Sequence, residues 1–206
     1  MFIRHYLYIC RIMNKDEINR ANIIEASKAV FRQYGYEKVT MNDIADAAGK
    51  GRSTLYYYFN NKYEVFEQVA IEEYSAILKP AEMQIKKSKS LSENLVLYNR
   101  CKLEQIEKKS NEYVHLLTDI KENKELIAKV IRIVAQKEIK LVKNMIVCAI
   151  ESEDILPIED DNLNFLALAI VTAISSLEKE MLLYGSIDNL SDKLYWLINL
   201  LVKGLK

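Results

Sequence analysis

Five glycines and two prolines in 206 residues are too few to punctuate a sheet protein. Tight turns between strands draw heavily on Gly and Pro, so a chain this poor in both must run as long helices joined by short polar links. Lys, Glu, Leu and Ala abound, and all four are strong helix formers. Half of the residues are hydrophobic, enough to fill a small core and a larger one. The expected fold is all-α, with about nine helices.

Lysine and arginine together number 29, as do aspartate and glutamate, for a formal net charge of zero. That balance argues against a protein that coats polyanions indiscriminately, but a local basic cluster can still supply a field for DNA. Cys10, Cys101 and Cys148 are odd in number, far apart and without a CxxC pair. They read as thiols in a reducing compartment, neither a disulfide frame nor a metal site. The apolar opening, residues 1–12, lacks the length and small-residue cleavage site of a signal peptide, and Met13 is a candidate alternative start. The richest apolar stretch, residues 163–177, is broken by Asn164, Thr172 and Ser175 and falls short of the roughly 20 residues a bilayer span needs. A cytoplasmic protein with no membrane partner is expected.

Periodicity and caps set the helices. Ile23, Ala26, Val30, Phe31 and Tyr34 make a one-sided stripe over residues 16–34, and Gly35 ends it. Thr40 and Asp43 form a capping-box start for a second helix whose inner face is Met41, Ile44, Ala45 and Ala48, stopped by Gly49. A third spans residues 52–59. Asn61, with Glu64 three residues on, starts a fourth that Pro80 interrupts after residue 79. Further helices are expected at 92–109, 112–121, 124–151, 161–184 and 190–203. Residues 14–62 read as one unit, reaching along helix four to about residue 76, and residues 63–206 as a second.

Two short helices about Gly49 have the geometry of a helix-turn-helix, whose second helix enters the major groove. On a helical wheel Leu55, Tyr58 and Phe59 face inward, while Arg52, Ser53, Tyr56 and Tyr57 face out with Thr54 at the edge. Arginine pairs with guanine or phosphate, and short hydroxyls and tyrosines reach base edges, phosphates and thymine methyls. Lys62 lies in the first turn of helix four, where the helix dipole disfavours a cation; a docked DNA phosphate would explain it. Residues 50–62 carry three basic residues and no acid.

The stretch GYEKVTMNDIADAAGKGRSTLYYYFNNKYEVFEQV resembles the DNA-binding domain of the TetR family of transcriptional regulators. The resemblance rests on Phe31, Gly35-Tyr36, Thr40, Ile44-Ala45, Ala48-Gly49, the run Thr54 to Phe59, and Lys62; it covers residues 18–74. It implies a homodimer on a palindromic double-stranded operator and release of the DNA by a small-molecule effector. It also implies DNA contacts from Thr40, Arg52, Ser53, Thr54, Tyr56, Tyr57 and Lys62, with Tyr58 contacting phosphate in some members. Two positions depart from the family. Lys50 stands where a small apolar residue is usual and is a candidate extra phosphate contact. Gly51 stands where a capping Ser is usual.

The body would dimerise through its two most apolar helices, with Phe165, Ala169, Ala173, Leu177, Trp196, Leu197 and Leu201 at the interface. Its effector pocket would be lined by Tyr98, Cys101, His115, Met145 and Phe165. His5 and His115, the only histidines, lack a partner at metal-ligand spacing. The acidic runs Glu72-Glu73 and Glu159 to Asp161 read as solvated faces or helix starts. No Glu-x-x-His pair, Ser/His/Asp set or Gly-rich phosphate loop marks an enzyme, and neither metal nor cofactor is expected. The competing non-catalytic reading is a helical adaptor that binds protein through the tyrosine-rich helix.

Overall fold

Helix α1, Lys15–Tyr34, buries Ile23, Ile24, Ser27, Val30 and Phe31 in the computed structural model, which describes residues 15–206. Met13, His5 and Cys10 lie outside the described residues. Eight more α-helices follow: α2 Met41–Ala47, α3 Arg52–Tyr58, α4 Lys62–Glu82, α5 Leu91–Glu112, α6 Val114–Glu122, α7 Glu125–Glu151, α8 Asp160–Lys179 and α9 Leu190–Lys203. The all-α expectation holds.

Local chemistry sets the ends. Thr40 and Asp43 form the expected reciprocal capping box on α2. Asn61 caps α4 through its side chain, but Glu64 turns its carboxylate to the backbone and side chain of Asn60 instead of closing the box on Asn61. Gly35 and Gly49 adopt φ of +78° and +62°, where a β-carbon is strained. Pro80 does not stop α4. It stands inside the last turn, so the missing N–H affects only one bond and the helix closes through Met83 N–H to the Lys79 carbonyl. Helix α5 starts one residue before the expected 92, because Ser90 rather than Ser92 makes the capping box with Glu93. The long helix expected over 161–184 ends as a π-helical turn, Glu180–Tyr184.

Two cores result. The first joins α1, α2, α3 and the front half of α4 through residues such as Phe31, Ile44, Leu55, Phe59, Phe66 and Val69, and Ile120 and Leu126 from α6 and α7 complete it. The second joins α5, α7, α8 and α9. The back half of α4 packs on α5 through Leu78, Ala81 and Tyr98, so α4 serves both units, and a cut at residue 62 would split the first core.

Inside the body lies a buried polar cluster that hydrophobic patterning did not reveal. Lys102 and Glu138 are 1% and 2% exposed. The Lys102 ammonium lies 2.8 Å from Glu138 Oε2 and 2.8 Å from Glu178 Oε1, and Glu138 also accepts hydrogen bonds from the Tyr74 and Tyr98 hydroxyls at 2.9 and 3.0 Å. Glu178 Oε1 has no well-aligned donor despite its nearby cation. Burial pushes the Glu178 carboxyl above its ordinary pKa; Lys102 pulls it down and Glu138 pushes it up again. Lys102 is held charged by the two glutamates against its own burial. One ammonium thus faces two buried carboxyls, and burial raises the pKa of Glu178.

A carboxyl that binds its proton more tightly when folded stabilises the fold at low pH. That contribution is lost as pH rises from the ordinary glutamate value through the raised one. Glu138→Gln, which strips Lys102 of its hydrogen-bonded carboxylate, should cost about 3 kcal/mol. Glu178→Gln should gain on the parent as pH rises from 5 to 8, as read by urea unfolding. An unchanged pH dependence in Glu178→Gln would place the proton elsewhere.

Candidate nucleic-acid interface

Leu55 and Phe59, 0% and 1% exposed, anchor α3 on the first core. Their spacing of four puts them on one helix face and turns Arg52, Ser53, Tyr56 and Tyr57 to solvent, with Thr54 half-buried at the edge, as the wheel predicts. Tyr57 is 72% exposed. The Arg52 guanidinium carbon sits 5.5 Å from the Tyr56 ring centroid, a stacking that orders the side chain along the exposed face. Thr40 is also exposed, but its hydroxyl is hydrogen-bonded to Asp43 in the cap of α2.

Tyr58 is half-buried, and its hydroxyl donates to Asp16 at 2.8 Å and accepts from Asn19 at 3.2 Å. Its ring meets Tyr57 edge-on at 4.9 Å. Tyr58 thus ties α3 to α1. Sequence reasoning missed the residues that hold the far end of α3. Arg20 Nη1 donates to the Tyr58 carbonyl at 3.1 Å, and its guanidinium lies 4.3 Å from the Phe59 ring centroid. A cation at a helix C-terminus satisfies orphan carbonyls. No local signal pairs residue 20 with residues 38 and 39 places further on. Gly51 provides no side-chain cap for α3, as its lack of a side chain requires.

Lys50 and Lys62, expected as phosphate contacts, both have partners within the fold. Lys50 Nζ donates to Asn19 Oδ1 at 2.9 Å, bracing the turn against α1. Lys62 Nζ donates to the carbonyls of Tyr36 at 2.7 Å and Glu37 at 3.3 Å and lies 4.2 Å from the Tyr36 ring centroid. Those two carbonyls account for a cation in the first turn of α4, so an anion is no longer required to explain it. An ammonium has three donors, and two carbonyls leave one for a phosphate. Burial lowers the Lys62 pKa, while Glu37 and Asp119 counter that shift.

The residues expected to line an effector pocket do not converge. Tyr98 is spent on Glu138, and Met145 is packed in the second core. Cys101 is half-buried beside the Tyr98 cluster. His115 is exposed next to Gly35, and Phe165 is 69% exposed on the outside of α8. Apolar periodicity assigned these residues to helix faces but could not say which faces meet. The described residues instead outline a cleft of about 210 Å³ between α5 and α9, with Asn99, Arg100, Asp192 and Tyr195 on its walls.

The dimerisation set divides in two. Phe165, Ala173 and Trp196 are exposed. Leu177, Leu197 and Leu201 are half-buried and pack on the second core, and Ala169 is half-buried at the border between the two groups. Leu168, Tyr195 and Leu200, outside the expected set, are 46%, 59% and 54% exposed and extend the apolar surface of α8 and α9. No helix among the described residues is long and apolar enough to cross a membrane.

Residues 23–69 match the sequence model described as bacterial regulatory proteins, tetR family. The chain is 41% identical over 54 residues to the probable acrEF/envCD operon repressor of Escherichia coli (strain K12), covering 26% of this chain and 24% of that protein. It is 39% identical over 57 residues to the HTH-type transcriptional regulator TtgR of Pseudomonas putida, covering 28% and 27%. These matches thus span about a quarter of the curated relatives. Across nearly the whole chain, a putative TetR-family transcriptional regulator from Syntrophomonas wolfei superposes with a TM-score of 0.63 at 14% identity, covering 93% of this chain and 96% of that one. That likeness extends the same all-helical fold through the body.

Tyr58→Phe deletes both hydroxyl bonds to α1 and leaves the ring. It should lower stability to urea by about 1 kcal/mol. A loss below about 0.3 kcal/mol would mean that the Asp16 and Asn19 contacts do not hold α3 in place.

Proposed function

We propose that this member of the TetR family of bacterial regulatory proteins is a DNA-binding transcriptional regulator, working as a cytoplasmic homodimer that reads a palindromic operator and is released by a small effector taken up in the body. The observation that carries this reading is the outward face of α3. Arg52, Ser53, Tyr56 and Tyr57 are exposed together on a helix that Leu55 and Phe59 fix to a rigid core. Such a face offers a fork for guanine or phosphate and hydroxyls for base edges and backbone. Thr40, Thr54, Lys50 and the spare donor of Lys62 lie at its margins as backbone contacts. The family's regulatory role and the repressor and regulator names of the relatives favour this reading over a protein-binding adaptor, and no catalytic role is assigned.

Two copies would meet through the exposed apolar surface of α8 and α9, where Phe165, Leu168, Trp196 and Leu200 stand in water in the single chain. Apolar patches of this kind mark interfaces, and a twofold dimer is the commonest closed assembly. The dimer would set the two α3 helices about 34–36 Å apart, one turn of duplex. An effector acts by binding better to a dimer in which that spacing is lost.

Selection of duplexes from a random library by the purified protein tests the reading. A regulator enriches a palindrome and loses it as salt rises, because binding releases counterions. Arg52→Ala should cost about 1–3 kcal/mol on the enriched duplex and blur its sequence preference. Lys62→Ala should weaken all duplexes alike and reduce the salt slope by roughly one unit. A library that yields no enriched sequence at low salt removes the operator reading. The double variant Phe165→Glu, Trp196→Glu should run as a monomer in light scattering; an intact dimer would move the interface elsewhere.

A further inference from the structure

One of the contacts between the two units is small and densely constrained. Helix α1 ends at Tyr34, and Gly35 turns the chain with a φ of +78°. The backbone N–H groups of Tyr36 and Glu37 both donate to Asp119 Oδ2, on body helix α6. The carbonyls of the same two residues accept from Lys62 on α4. Two adjacent residues are thus gripped on their donor side by an anion of the body and on their acceptor side by a cation of the reading unit. A β-carbon on Gly35 would collide with Asp119 Oδ2 and lie 3.2 Å from the His115 carbonyl carbon, so α6 approaches too closely for any side chain at that position. The Tyr36 ring is fixed as well, stacked near Phe31 and edge-on to Phe66 at 5.1 Å.

Helix α6 is itself poised between the two units. It has nine residues and no side-chain cap at its start. Its residue Ile120 enters the first core, while Leu116 and, from the π-helical turn that ends α8, Leu183 pack against the same cluster. The ring of Tyr184 in that turn lies 5.8 Å from Lys121 Nζ and 5.3 Å from Lys124 Nζ. A shift at the end of α8 therefore bears on α6, and α6 carries Asp119.

We propose that Asp119 is the positioning residue by which the body sets the placement of α3 for operator binding, acting through the Tyr36 and Glu37 peptides and Lys62. It does not touch DNA. The inference rests on the operator-binding reading above and adds the contact by which the body controls it. Specific binding needs both recognition helices in register with two half-sites, whereas non-specific binding needs only charge near phosphate. Loss of Asp119 should therefore damage the first far more than the second.

The test uses the full-length dimer and two duplexes of equal length, one enriched by the parent protein from a random library and one of scrambled sequence. Asp119→Asn keeps the size of the side chain and removes its charge. It should bind the enriched duplex about tenfold more weakly, within the ~5–150-fold span of typical coupling between sites, and the scrambled duplex within about twofold of the parent. Gly35→Ala, which displaces the same carboxylate from the opposite side, should reproduce the loss. Amide hydrogen exchange at Tyr36 and Glu37, read by NMR, should quicken in Asp119→Asn while the amides of Leu55 and Phe59 keep their protection. Parent-like discrimination between the two duplexes would overturn the proposal, as would unchanged exchange at residues 36 and 37. If the parent enriches no duplex, the operator reading fails by itself, and quickened or unchanged exchange still decides whether Asp119 holds the segment.

Discussion

A single buried ammonium organises the body. Lys102 on α5 reaches Glu138 on α7 and Glu178 on α8, and Tyr74 brings α4 to the same point. Burying charges is expensive, and a well-packed apolar substitute for such a group is often as stable or more so. What the cluster provides is direction. Leu and Ile surfaces tolerate a helix sliding by a turn, but sliding α5 or α7 would part Lys102 from Glu138 in a medium that penalises a lone charge by several kcal/mol, and sliding α4 or α8 would strip the cluster of the Tyr74 hydroxyl or the Glu178 carboxyl. The register of α8 follows, and with it the apolar face the helix turns outward and the π-helical turn at its end, two residues beyond Glu178.

The N-terminal unit depends on the body in a different way. Its core is closed by Ile120 and Leu126, which belong to α6 and α7, and ion pairs bring α1 and α5 onto α4 nearby. Lys28 meets Glu72 at 3.0 Å, and Lys109 meets Glu73 at 2.6 Å. Such partly exposed pairs add little energy each, but they line the seam on which α1, α4 and α5 meet. Direct grip on the chain comes from Asp119 and Lys62 acting on opposite edges of the same peptides. Helix α3, with no side-chain cap at its start, is steadied at its end by Arg20 and Tyr58 and by Leu55 and Phe59 in the core. Its outer face is left free for other work.

Much of this was legible in the residues because local rules and tertiary needs agreed. Thr40 and Asp43, the glycines at 35 and 49, and the alternation of Leu55 and Phe59 with Arg52, Tyr56 and Tyr57 each state their role within a few positions. The same reasoning went astray where a partner lies far along the chain. The helix dipole alone cannot account for Lys62, because its two carbonyl partners lie 25 and 26 residues earlier. Residue chemistry does not reveal which helix faces meet: of the residues expected in the pocket, Tyr98 is committed to Glu138 and Phe165 lies on the outside. Lys102, Glu138 and Glu178 stood in the sequence as three ordinary charges on amphipathic helices. One signal for Asp119 was present but unused. A chain that leaves a helix through a left-handed glycine exposes backbone donors, and buried donors require an acceptor.

The shared first core also bears on how such a protein could be rebuilt. Family-level similarity stops near residue 69, which invites treating the front of the chain as a cassette. The packing draws the line elsewhere, since Ile120, Leu126 and Leu183 supply walls to that cassette from far downstream. A chimera joining this front to a foreign body would inherit an unfilled flank and a Gly35 shaped for a helix no longer there. To graft the front intact, one would have to carry α6 and the opening of α7 with it.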